Sequence, residues 1–188
     1  LRSPGANSFY GYDGTQDNND ITVNTGGLLT MADGADVNVR RVILNGGTLA
    51  AEGTNHTDHG SWRFIEPGDG LSATANSTAS ATNLLFLNGA DINVSTGVTL
   101  TFTGTITNPT YGGFISTVIK NGAGTLTMSG VNTFTGSMAV NRGTVNITNG
   151  NSAASGGLMS ASSVTINNGG TLRSPGANSF YGYDNTQD

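Results

Sequence analysis

The two ends of this 188-residue chain are copies of each other. Residues 1–17 read LRSPGANSFYGYDGTQD and residues 172–188 read LRSPGANSFYGYDNTQD, differing only at Gly14 and Asn185. Chance does not produce such a match. The spacing from Leu1 to Leu172 therefore defines a tandem period of 171 residues. On this reading residues 1–171 are one complete unit and residues 172–188 begin the next. Units that follow one another in a chain must present complementary ends, so the fold has to stack in line.

A shorter rhythm runs inside the unit. Gly followed closely by an apolar anchor recurs at Gly47-Thr48-Leu49, Gly97-Val98-Thr99-Leu100, Gly124-Thr125-Leu126, Gly143-Thr144-Val145 and Gly170-Thr171-Leu172. Counted from Leu1, the steps between anchors are 48, 51, 26, 19 and 27 residues. Taken as two, two, one, one and one turns, they give seven turns of roughly 24 residues, a solenoid spacing. Ala35-Asp36-Val37-Asn38-Val39 and Ala90-Asp91-Ile92-Asn93-Val94 are near-copies and are read as equivalent places in two turns.

Between the glycines the period is two. Ile21/Val23, Val37/Val39, Val42/Leu44, Trp62/Phe64, Ile92/Val94, Val98/Leu100/Phe102, Leu126/Met128, Val145/Ile147 and Val164/Ile166 alternate with polar residues. That is the pattern of short strands with one buried face. Gly 29, Thr 27, Asn 22 and Ser 17 make up half the chain. Gly and Asn disfavour helix interiors, which argues against a bundle or coiled coil. Thr suits a pleated surface, and Gly and Asn suit tight corners. Sandwiches and barrels also use short strands, but a coil of parallel strands alone satisfies both rhythms. The expected fold is all-β, a right-handed parallel β-helix with about seven turns per 171-residue unit, the hand following from the crossover rule.

The charge balance narrows the function. A net charge of −5 with seven basic residues makes a nucleic-acid surface unsuitable. No apolar run reaches the roughly 18 residues of a membrane span. There is no cysteine, which removes disulfides, thiolate metal sites and thiol catalysis.

Residues 120–145, KNGAGTLTMSGVNTFTGSMAVNRGTV, carry a denser motif. Gly122, Gly124, Leu126, Met128, Gly130, Asn132, Phe134, Gly136, Val140, Gly143 and Val145 resemble the passenger-associated repeat of bacterial autotransporters. The departures, Ser137-Met138-Ala139 for a commoner Gly-Thr-Thr run and Val145 for Leu, are conservative. The resemblance implies a β-helical, secreted or surface-displayed bacterial protein, such as an adhesin, stalk or fibre. The motif it rests on is structural and transfers no catalytic residue.

Three clusters carry possible chemistry. Asp13, Asp17 and Asp20 lie in an oxygen-rich stretch whose chemistry suits calcium, but the spacing is neither that of the EF-hand loop nor that of the RTX nonapeptide, and a polar loop is the plain alternative. His56, Asp58 and His59 could ligate a metal such as zinc, or form a solvated loop between strands. Phe9, Tyr10 and Tyr12, copied as Phe180, Tyr181 and Tyr183, are assigned with Leu1 and Leu172 to the junction between units. Aromatic faces there could also stack on sugar rings. The 50–83 stretch contains the Ala- and Ser-rich run 72–82 and lacks large apolar anchors there. It is expected to form an outward loop or irregular strand, not core, a place where a ligand site could be displayed many times.

The function expected from these features is mechanical rather than enzymatic. Units stack head to tail into an extracellular or cell-surface fibre, with neighbouring copies as partners and room for lateral contacts or surface glycans. No cofactor is required, although calcium is possible. The alternative is a β-helical module that binds or cleaves polysaccharide. Cleavage would need carboxylates paired across a groove, and the chain has only two glutamates and scattered aspartates.

Overall fold

Alternation of apolar and polar residues sends successive side chains to opposite faces of a strand. Where strands are too short to bury themselves, the chain must coil so that every turn covers the next. A computed structural model shows this coil and describes residues 2–3, 20–52, 60–68, 70–108, 115–148 and 161–173. Two long sheets form its sides. One contains Asp20–Asn24, Arg41–Asn45, Gly70–Ala75, Asp91–Val94, Val118–Asn121, Met138–Val140 and Val164–Ile166, hydrogen-bonded in that order. The other contains Arg2–Ser3, Leu28–Met31, Thr48–Leu49, Ser77–Ala79, Thr99–Phe102, Thr125–Met128, Gly143–Ile147 and Gly170–Arg173. A third, shorter sheet joins Val37–Asn38, Trp62–Phe64 and Leu84–Phe86. Every pairing between these strands is parallel. The fold is a parallel β-solenoid. Its seven-stranded sheet takes six steps along the axis and its eight-stranded sheet takes seven.

The corner between the two long sheets is where the glycines matter. Gly26, Gly46, Gly97, Gly122, Gly143 and Gly169 all have positive φ there, a conformation that costs a residue with a Cβ. Asn76 occupies this corner in the remaining turn, between Gly70–Ala75 and Ser77–Ala79. Of the glycines in the sequence rhythm, Gly97 and Gly143 are these corner residues, while Gly47, Gly124 and Gly170 follow the corner glycines Gly46, Gly122 and Gly169.

The anchors stack as the rhythm requires. Leu100 pairs with Leu126, Leu126 with Val145 and Val145 with Leu172. Leu49, however, leads through Ala79 to Phe102, not to Leu100. The column leans by two residues, which leaves inward and outward parity intact. The near-copies at Ala35–Val39 and Ala90–Val94 are not equivalent. Val37–Asn38 belongs to the three-stranded sheet and Asp91–Val94 to the seven-stranded one. A short alternating strand fits either side, so local likeness does not choose between them.

Of the expectation for 50–83, the irregular strand holds and the exclusion from the core fails. Among its described residues, Trp62, Phe64, Leu71, Ala73, Ala79 and Ala81 are buried in the core. The run at 70–79 is two strands, with a register shift after Leu44/Ala73 that skips Thr74. Small residues can serve as anchors here because aromatic rings fill the interior of the same turns. Phe64 stacks on Phe86 at 5.0 Å between centroids, and Phe86 on Phe102 at 6.4 Å. The Trp62 indole N–H, which would otherwise be unsatisfied, donates to the Ala50 carbonyl at 2.7 Å.

Candidate functional site

The motif segment occupies consecutive turns of the solenoid. Leu126, Met128, Phe134, Val140 and Val145 point inward and are buried. From Gly130 to Met138 burial alternates at every residue, so this stretch is extended although it pairs only loosely. Gly130 packs directly on Gly104; a Cβ there would lie 1.7 Å from the Gly104 carbonyl oxygen. A Cβ at Gly136 would come within 2.1 Å of the Ser116 carbonyl. Turns could not close to sheet spacing with any side chain at these points.

Asn132 is the buried polar residue of the motif. Its Oδ1 accepts the Ile106 N–H at 3.1 Å, and its Nδ2 donates to the Gly130 carbonyl at 3.1 Å. The Ile106 carbonyl in turn accepts the Thr133 N–H at 2.9 Å. The side-chain amide thus stands in for a main-chain rung where the backbone bends away, satisfying groups that would be costly to bury alone.

Lys120, the only lysine of the chain, shares its inward column with Ile92 and Val140. The side chain is buried, and its ammonium donates to the carbonyls of Asn121 at 2.7 Å, Gly122 at 2.8 Å and Arg142 at 3.1 Å. These carbonyls belong to the corners of two successive turns, so one cation clips them together. Loss of water around it lowers the amine from 10.5 to about 8. Sequence reasoning assigned Lys120 no role. Its two-residue spacing from Val118 was the available signal that it faces inward.

Asparagine side chains bind the outer rim of this corner. Asn121 Nδ2 donates to Asp91 Oδ2 at 2.6 Å, Asn141 Nδ2 to Asn121 Oδ1 at 2.9 Å, and Asn167 Nδ2 to Asn141 Oδ1 at 2.7 Å. Asn45 Nδ2 likewise donates to Asn24 Oδ1 at 3.1 Å. In each pair the amide of the later turn donates to the earlier one.

A second polar cluster lies on the three-stranded side. Asp36 Oδ1 accepts the Ser61 hydroxyl at 2.8 Å and the main-chain N–H groups of Gly60 and Ser61 at 3.1 and 3.3 Å. Arg63 Nη2 pairs with Asp36 Oδ2, and Arg63 Nε donates to the Ser61 hydroxyl at 2.8 Å. The cluster ties the strand at Trp62–Phe64 to the turn before it.

Of the metal candidates, Asp20 lies at the start of its strand, with Arg40 Nη1 3.5 Å from its Oδ1. Asp13, Asp17, His56, Asp58 and His59 lie outside the described residues. Among the described residues no three of His, Cys, Asp and Glu gather as a metal would require. Leu172 is half-buried against the core at the end of its column. Leu1, Phe9, Tyr10, Tyr12, Phe180, Tyr181 and Tyr183 lie outside the described residues.

Residues 118–147 match the family model described as passenger-associated-transport-repeat. The match spans the strand carrying Lys120, the Asn132 segment and the strand ending at Ile147. No curated protein and no solved structure matches the chain. The segment similar to that family is thus set in a parallel β-solenoid.

Proposed function

We propose that this chain is a unit of the passenger of a bacterial autotransporter, and that copies stack in line into a stiff stalk or fibre outside the cell. The observation that carries the reading is the passenger-associated repeat at 118–147 built into sheets that run without interruption along the solenoid axis. The duplicated end segments supply the tandem arrangement. The role is mechanical: motif glycines allow turns to close, Asn132 and Lys120 satisfy the buried backbone, and apolar columns transmit the packing from turn to turn. No residue in this reading acts on a substrate.

The test is surface exposure together with shape. Antibodies raised against the chain should bind intact source cells, and multi-copy protein should image as unbranched rods. Binding only after the cells are permeabilised, or flexibly beaded particles, would overturn the proposal.

A further inference from the structure

We infer that the strand Val164–Ile166 receives the strand Asp20–Asn24 of the following copy, with Ile166 opposite Val23 and Asn167 opposite Asn24. The inference rests on the tandem reading and adds to it the register and polarity of the joint.

The eight-stranded sheet shows the joint from both sides. Arg2 pairs with Thr30, and Arg173 pairs with Asn146. Arg2 and Arg173 are the same position of the repeat. Placing one upon the other sets Arg173 against Thr30 of the next copy, and Leu172 against its Leu29.

The neighbouring corners then carry this register into the seven-stranded sheet. Ile166 reaches Leu172 through Asn167-Asn168-Gly169-Gly170-Thr171, and Val23 reaches Leu29 through Asn24-Thr25-Gly26-Gly27-Leu28, the same length. The two corners also share one geometry. Gly169 and Gly26 have φ of 88° and 75°. Gly170 N–H donates to the Asn167 carbonyl at 2.9 Å, and Gly27 N–H to the Asn24 carbonyl at 2.7 Å. Corners of equal length and shape, stacked at their far ends, stay in register at their near ends.

What the joint would cover is visible at the open end. Val164 and Ile166 are 39% and 52% exposed, while Met138 and Val140, one step earlier in the same columns, are fully buried. Ile21 and Val23 of the next copy present apolar side chains at the required spacing. The asparagines add direction. Among the described residues, no group donates to Asn167 Oδ1 at the end of its ladder, and none accepts from Asn24 Nδ2 at the start of its own. Stacked head to tail, Asn24 donates to Asn167 as the later amide donates to the earlier turn at Asn45, Asn121, Asn141 and Asn167. Stacked tail to tail, two acceptors would meet.

The test uses a two-copy chain, residues 1–171 followed by 1–188, in a background without cysteine. Thr165→Cys in the first copy with Thr22→Cys in the second should close a disulfide, because these outward residues are register partners. Thr165→Cys with Asp20→Cys or Asn24→Cys in the second copy should stay open, since a two-residue offset exceeds the roughly 7 Å Cα separation a disulfide spans. Closure with Asp20→Cys or Asn24→Cys instead, or with no pair, overturns the register. If X-ray scattering also shows two bodies on a flexible joint, the stacking reading falls with it; a single rod would leave that reading standing. As a second measurement, Asn24→Asp in the second copy keeps the acceptor for Asn45 but removes the donor to Asn167. It should lower the unfolding midpoint of the two-copy chain, while the same change in the one-copy chain leaves the midpoint in place. Equal effects on both chains would overturn the asparagine joint.

Discussion

Asn132→Ala would leave the Ile106 N–H without its acceptor at a site that water does not reach. An unsatisfied buried donor costs about 1–3 kcal/mol. The urea midpoint of Asn132→Ala should fall accordingly, while Val131→Thr, one residue away and exposed, should stay within about 0.5 kcal/mol of the parent. Lys120 makes a prediction of a different kind. Below pH 8 it is charged in both the folded and the unfolded chain. Between about pH 8 and 10.5 the unfolded chain keeps a proton that the folded chain has released. Stability therefore rises with pH across that window. Measured as denaturation midpoints, the difference between the parent and Lys120→Met should move in the parent's favour as pH rises through it. A difference that stays flat or moves the other way would contradict the burial of this amine. The inward direction of both side chains follows from alternation, Asn132 with Phe134 and Lys120 with Val118. Their hydrogen-bond partners do not, because Ile106 and Arg142 come from neighbouring turns.

Among the strands, the aromatic layer decides how the Ala- and Ser-rich segment is used. Phe64, Phe86 and Phe102 fill the interior where Ala73, Ala79 and Ala81 also point inward. Phe86→Ala should cost about 3–5 kcal/mol in chemical denaturation, since it removes the middle ring of the stack. Ala79→Leu should cost about 1–3 kcal/mol by overpacking. Thr78→Leu, on the outer face of the same strand, should change stability by only about 0.5 kcal/mol. Similar losses for Ala79→Leu and Thr78→Leu would place the inward face of this strand wrongly. The aromatic residues and the alanines were both legible in the sequence. Their complementarity was not, because a small residue is read as an anchor only when the bulk opposite it is known.

At the scale of the molecule, one unit should add a fixed length. The eight-stranded sheet takes seven steps between Arg2 and its copy Arg173. At a strand spacing of about 4.8 Å, each copy adds roughly 34 Å of rod. Proteins of one, two and three copies should lengthen by that increment in electron micrographs or X-ray scattering. An increment near half or double that value would rule out the continuous solenoid.

The sequence by itself determined the mean solenoid step, the parity of inward and outward residues, the corner glycines Gly97 and Gly143, and the likeness of the two end segments. These features repeat along the chain or depend on a residue's own backbone, so no knowledge of neighbours is needed to read them. Only the tertiary structure decided that Leu49 leads to Phe102, that Val37–Asn38 joins a third sheet and that the 70–79 segment is core. Successive turns differ in length: Leu29 to Leu49 spans 20 residues, Leu49 to Ala79 spans 30 and Leu126 to Val145 spans 19. When the contour of each turn varies this much, an anchor can meet its neighbour in more than one register without changing face. The choice then falls to what fills the interior between the sheets, and that volume exists only once the turns have stacked.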